Sequence, residues 1–264
     1  MPTVYLSKFS FSNPEPHLRA EHTQDTCRGL GFGLVQALAA NPDNIIFAGA
    51  RNPSSKELAA FAAAHPEQVI PIALDSADVP LNKAAAKLIE EKVGKLDVVI
   101  ANAGMGKVST MSDIEIPEFV ETFKVNVLGP LVLFQNTQQL LRKASSTGKF
   151  VTISSVQGSV SNMIPGPSGA YGASKAAVNS VTIKIQEENP DLIVFPMCPG
   201  FVATEGASKF TKDQGAPREI MNSAAPISVA AANVLKHISE AVKVDQPKTL
   251  WTARGTSLGK EVPF

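Results

Sequence analysis

Tyr171 and Lys175 stand four residues apart in Tyr171-Gly172-Ala173-Ser174-Lys175, a spacing that puts a phenol and an ammonium on one helix face. A free tyrosine titrates near ~10, too high for an acid and base at neutral pH. A lysine alongside favours the phenolate and draws that value down. Ser154-Ser155-Val156 follows an apolar run ending at Ile153, and a hydroxyl there could hold and polarise a carbonyl. Unrelated helices also carry Tyr-x-x-x-Lys, and serine after a strand is a common turn former. Asn126 lies in the apolar stretch Phe123-Lys124-Val125-Asn126-Val127-Leu128, where an amide needs a polar partner or a role.

A second group of residues suits a nucleotide. Arg28-Gly29-Leu30-Gly31-Phe32-Gly33-Leu34 opens a helix with Leu30, Leu34, Val35 and Leu38 on its apolar face. Glycines at a strand-to-helix turn let backbone approach a pyrophosphate at the helix N-terminus, although close glycines also occur in plain turns and helix contacts. The next apolar run ends Gly49-Ala50-Arg51-Asn52, without the acid that would accept a ribose 2′-hydroxyl. Arg51, with Arg28 from the glycine loop, could instead bind a 2′-phosphate, which points to NADP(H). Asn102-Ala103-Gly104 follows another such run. Cys198-Pro199-Gly200-Phe201-Val202-Ala203-Thr204 follows a further one, where a Pro-Gly turn would steer backbone across a planar ring.

These residues need a scaffold that brings them to one edge. Apolar runs at 44–50, 68–74, 96–101, 149–153 and 192–197 are continuous rather than alternating, as in strands buried on both faces. Helical patterns lie between them at 30–40, 54–64, 81–93, 116–143 and 171–188. A helix over 228–242 then precedes a closing strand at 248–252. Strand and helix alternating in this way predict an α/β fold, a single doubly wound parallel sheet of Rossmann type with helices on both faces. Ligands bind such sheets at the carboxyl ends of the strands.

The 264 residues suit one domain spanning 1–264, and 44% hydrophobic content supplies a core. Twenty-four basic residues balance twenty-four acidic ones, which argues against nucleic acid and against a basic membrane surface. No apolar run approaches the ~18 residues of a membrane span, and the N-terminus lacks the apolar core of a signal peptide. Two cysteines, Cys27 and Cys198, form no disulfide framework and point to a reducing, cytoplasmic location. Four scattered histidines lack metal-ligand spacing.

The glycine loop, Asn-Ala-Gly, the helix Asn, Ser, Tyr-x-x-x-Lys and Pro-Gly-x-x-x-Thr, in that order, resemble the short-chain dehydrogenase/reductase family over essentially everything after Arg28. The resemblance implies Tyr171 as proton donor and acceptor, with Ser155, rather than Ser154, stabilising the substrate carbonyl. It implies that Lys175 lowers the tyrosine pKa and binds the nicotinamide ribose, and that Asn126 supports a water-linked proton relay. It places the cofactor against Arg28, Gly29, Leu30, Gly31, Arg51, Asp75, Asn102, Ala103, Gly104, Asn126, Tyr171, Lys175, Pro199, Gly200, Val202 and Thr204. Asp75 would contact adenine; Val202 and Thr204 would contact the carboxamide. A substrate lid would fall over 204–226, and homo-oligomers would form through the two long helices. Thr-Val-Tyr-Leu, Ala-Tyr-Gly-Ala-Ser-Lys and the Val-Pro-Phe terminus are similar to norsolorinic acid ketoreductase-like and carbonyl reductase-like members. That implies a small-molecule ketone or alcohol, such as an aromatic polyketide, as substrate.

One stretch departs from the family. Thr3-Val4-Tyr5-Leu6 starts a strand, but 7–27 has Pro14, Pro16 and no periodicity. The places of the family's Thr-Gly hold Gln24 and Asp25, and a carboxylate at ~4 Å from a pyrophosphate charge costs on the order of 4 kcal/mol at a dielectric of 20. This atypical segment is either a true insertion or non-coding translation replacing the strand end and turn, which the transcript sequence decides. A true insertion leaves open a rival function: a catalytically impaired binding or scaffold protein of the same fold.

Overall fold

Neighbouring residues of four inner strands face opposite sides of the sheet, and both sides are covered. Ile46, Ala48, Ile100, Val151, Ile153 and Phe195 belong to one core, with Leu34, Val35 and Leu38 of one helix and Val234 and Ile238 of another. Phe47, Val99, Phe150 and Val194, their chain neighbours, belong to the second core with Ile89, Leu133, Phe134, Leu141 and Ile185. Strands sandwiched in this way have no solvent face, so their apolar runs are unbroken. The Phe134 and Phe150 rings meet edge to face at 5.2 Å in the second core, a favoured aromatic geometry.

The computed structural model describes residues 3–6, 29–213, 222–242, 249–252 and 261–263. The elements run β1 (Thr3–Leu6), α1 (Gly29–Ala39), β2 (Ile45–Ala50), α2 (Lys56–Ala64), β3 (Val69–Ala73), α3 (Val79–Val93) and β4 (Val98–Ala101). They continue α4 (Ile116–Phe123), α5 (Gly129–Leu141), β5 (Lys149–Ile153), α6 (Gly169–Glu188), β6 (Ile193–Cys198) and α7 (Glu205–Asp213). Last come α8 (Ile227–Glu240), β7 (Thr249–Thr252) and β8 (Glu261–Pro263). The sheet order is β3-β2-β1-β4-β5-β6-β7-β8. Pairing is parallel from β3 to β7, while β8 lies antiparallel on β7 at the edge. The sheet is therefore the expected doubly wound one, except for this antiparallel rim. The three residues of β8 are too few for a periodic signal. The atypical segment 7–27, with Gln24 and Asp25, and the candidate Arg28 lie outside the described residues.

The long helix expected over 116–143 is interrupted. Between α4 and α5, residues Lys124–Leu128 form a single wide π-turn. Gly129 N–H reaches back five residues to the Lys124 carbonyl. The next residue, Pro130, has no N–H and could not close an α-type bond to Asn126. Such one-turn widenings often sit at functional sites, and this one carries Asn126.

Part of the expected lid is helical. Thr204 caps α7, its hydroxyl accepting Ala207 N–H at 3.1 Å, as threonine does at helix starts.

Candidate functional site

Because the strands are parallel, their carboxyl ends share one edge, and the expected residues follow those ends. Arg51 comes directly after β2, Asp75 two residues past β3, Asn102 directly after β4, Ser154 and Ser155 after β5, and Pro199 after β6. This is the edge at which open α/β sheets bind ligands.

Ser154 and Ser155 divide sharply. Ser154 is buried and donates to Asn179 Oδ1 at 2.6 Å, so its hydroxyl is spent on α6. Ser155 caps the short turn Val156–Gly158, accepting Gln157 N–H at 3.2 Å, and its side chain shares a hydrogen bond with Tyr171. The structure thus brings Ser155, not Ser154, to the phenol.

Tyr171 and Lys175 lie on α6 and are both buried. Lys175 Nζ donates to the Ile153 carbonyl at 2.8 Å and lies 5.5 Å from the centroid of the Tyr171 ring. The expectation that this ammonium draws the phenol down is not met. Burial dominates and holds Tyr171 well above its ordinary value, against a smaller downward pull from Ser155. Burial also pushes Lys175 down to about 8. The thiol of Cys198 is raised, again by burial, and it accepts Gly200 N–H at 3.4 Å.

The Lys175 value has a testable consequence for stability. Between about 8 and the ordinary 10.5, the unfolded chain keeps a proton that the folded chain has released. Stability contributed by this group therefore rises with pH in that window, by roughly 1 kcal/mol per pH unit at most. Cys198 and Tyr171, raised from 9.0 and 10.0, act in the opposite sense at higher pH. Urea unfolding at pH 7 to 9 should show the native chain gaining stability relative to Lys175→Met. A constant difference across that range would show that Lys175 titrates normally.

Asn126 is drawn inward by the π-turn. Its Oδ1 accepts Met105 N–H at 2.7 Å, while Nδ2 donates to the Met105 carbonyl at 2.8 Å and to Ser174 Oγ at 2.8 Å. The amide therefore clamps the loop after β4 to α6. With the side chain fully engaged, a water-linked relay would have to use the Asn126 backbone.

Two residues not singled out from sequence matter here. Gly106 passes so close under Tyr171 that a Cβ would lie 2.6 Å from ring atom Cδ2 and 2.9 Å from Cγ. Ser174 is fully buried and donates to the Tyr171 carbonyl at 2.7 Å. Their only sequence traces are a second glycine soon after Gly104 and a serine inside the Tyr-Lys spacing.

The remaining positions fit a dinucleotide unevenly. Gly29 starts α1 at φ +64, a conformation that favours glycine, and its missing Cβ would contact Thr204 Cγ2 at 3.6 Å. The glycine loop and the Pro-Gly segment thus adjoin each other. Gly200 also has a positive φ, +81. Neither side-chain polar atom of buried Asn102 has a partner among the described residues, as expected of an amide awaiting a ligand. Leu30, Gly31, Ala103 and Gly104 are buried, and Leu30 and Val202 pack into the first core, so their side chains serve packing. Val202 also bridges to Ala225, and Thr204 is occupied as a cap. Arg51 is exposed and Asp75 half-buried. These residues fit a nicotinamide dinucleotide laid along the edge.

The family model of short chain dehydrogenases matches residues 26–215. A short chain dehydrogenase of Penicillium aethiopicum is 37% identical over 186 residues, covering 68% of this chain and 74% of that protein. Norsolorinic acid ketoreductase of Aspergillus parasiticus is 32% identical over 229 residues, covering 82% and 81%. Among solved structures, the NADPH-bound carbonyl reductase from chicken fatty liver superposes with a TM-score of 0.76 at 24% identity, covering 96% of each chain; at that identity the likeness is one of fold.

Proposed function

The chain belongs to the short-chain dehydrogenase family of oxidoreductases acting on carbonyl and alcohol groups, and on that premise we infer that it is an NADPH-dependent ketoreductase. The observation that carries the reading is the hydrogen bond shared by Ser155 and Tyr171 at the carboxyl edge, with buried Lys175 beside the ring.

Ser155 and Tyr171 together offer two hydroxyls to one carbonyl oxygen. Held above its ordinary value by burial, Tyr171 stays protonated across neutral pH, the state a proton donor needs. Lys175, with a value of about 8, is mostly cationic at neutral pH and stabilises the negative charge that appears as the proton leaves. Asn102 would hold the coenzyme's ribose edge with its amide, which has no partner among the described residues, and Lys175 the nicotinamide ribose. The coenzyme, when bound, supplies the hydride to the carbonyl carbon; Tyr171 supplies the proton to the oxygen.

Relatedness to norsolorinic acid ketoreductase supports an aromatic polyketide ketone as the substrate. The strand end Gly49-Ala50-Arg51-Asn52 carries no acid in its sequence, and Arg51 is exposed directly after β2, which supports NADPH over NADH. Two cysteines, too few for a disulfide framework, support a cytoplasmic location; among the described residues no helix is long and apolar enough to cross a membrane. Ile116 and Val120, one turn apart and 72% and 58% exposed, support a second copy docking on α4, which sedimentation tests.

The deciding experiment follows oxidation of NADPH and of NADH against aromatic and aliphatic ketones. Saturable turnover with NADPH and an aromatic ketone is expected. Arg51→Asp should weaken NADPH, and not NADH, by roughly tenfold to a hundredfold, the scale of a lost charge-assisted bond. Absence of any saturable coenzyme signal would favour the scaffold alternative.

A further inference from the structure

We infer that Ser174 is a positioning residue that fixes the Tyr171 end of α6 against the loop bearing Asn102, Gly104 and Gly106. The inference rests on the ketoreductase reading above.

Donor and acceptor bookkeeping leaves the hydroxyl only one arrangement. Asn126 Oδ1 is taken by Met105 N–H, and Nδ2 donates both to the Met105 carbonyl and to Ser174 Oγ. An amide nitrogen carries two hydrogens and no acceptor capacity, so Ser174 must accept from it. The serine's own hydrogen is then directed to the Tyr171 carbonyl, 2.7 Å away. Asn126 is 1% exposed and Ser174 0%, so water cannot substitute for either partner. The result is a one-way chain from Met105 through Asn126 and Ser174 to the backbone of Tyr171.

Both ends of that chain face the phenol's surroundings. Met105 directly precedes Gly106, which lies under the Tyr171 ring, and Tyr171 itself receives the last bond. A serine hydroxyl bonding back within a helix is ordinarily a small perturbation. Here the same oxygen also receives a side chain from another element, which ties the height of the ring to the loop beneath it.

The test compares Ser174→Ala, and Ser174→Cys as a volume-keeping variant with a weaker donor and acceptor, well below their melting temperatures. For Ser174→Ala, kcat should fall about tenfold, the scale of one or two lost net hydrogen bonds, with coenzyme KM unchanged. The solvent deuterium isotope effect on kcat should rise, because proton donation from a displaced phenol becomes slower. Exchange of the Met105 amide should accelerate in the coenzyme-free protein. Ser174→Cys should fall between serine and alanine, and it gives the same readouts if the alanine variant does not fold. Unchanged kcat, an unchanged isotope effect, or a fall in kcat that merely tracks melting temperature would overturn the inference. A native chain that reduces no ketone would sink the functional reading; normal native turnover with an unaffected Ser174 variant would sink this inference alone.

Discussion

Tyr171→Phe is expected to lose turnover by on the order of a thousandfold, the range contributed by a positioned general acid, with coenzyme affinity within about twofold of the native chain. The ring fills its place whether or not it bears an oxygen, so Gly106 below and Lys175 beside it keep their neighbour. What disappears is the hydroxyl bonded to Ser155 and with it the proton. Single-turnover measurement of NADPH consumption, beside a coenzyme titration, separates the two effects. Retention of a tenth or more of native turnover would mean that another group donates the proton, and the assignment of Tyr171 would be wrong.

Gly106→Ala should be the next most damaging change, for a purely steric reason. A Cβ at that position would come within 2.6 to 3.0 Å of three Tyr171 atoms, so either the loop or the ring must move. The loop is held, because both polar groups of the Met105 backbone are bonded to Asn126. The ring therefore yields. A displacement near 1 Å at a reacting group costs up to about a hundredfold in rate, and overpacking should also cost roughly 1–3 kcal/mol of stability. The decisive measurement is kinetic: Gly106→Ala combined with Tyr171→Phe should be no slower than Tyr171→Phe alone. If the two losses multiply, Gly106 acts on something other than the phenol.

The elements carrying these residues were legible where a physical constraint writes itself into local sequence. Strands such as Ile45–Ala50 show it, since Phe47 feeds one core and Ile46 and Ala48 the other, leaving no polar position. Parallel pairing then forces their ends, and Ser155, Asn102 and Pro199 with them, to one edge. The shared helix face of Tyr171 and Lys175 was legible from their spacing, but singling them out took the ordered motifs around them. Gly106 and Ser174 were not, because their importance lies in through-space neighbours, a ring and an amide from elsewhere in the chain. The direction of the Tyr171 shift was missed for a related reason: spacing reveals the cation, but burial, which outweighs it, belongs to the folded molecule. Periodicity also ran unbroken through Lys124–Leu128, since one widened turn hardly alters the apolar rhythm.

That wide turn makes residue number, rather than residue identity, the constrained quantity between α4 and α5. Each helical residue rotates the downstream chain by about 100° and advances it by about 1.5 Å. Losing one position there would force a choice: Leu133 and Phe134 could stay in the second core, or Asn126 could stay on Met105, but not both. Substitutions at Val125 or Val127 should be absorbed comparatively easily, while a one-codon deletion in this stretch should separate folding from chemistry.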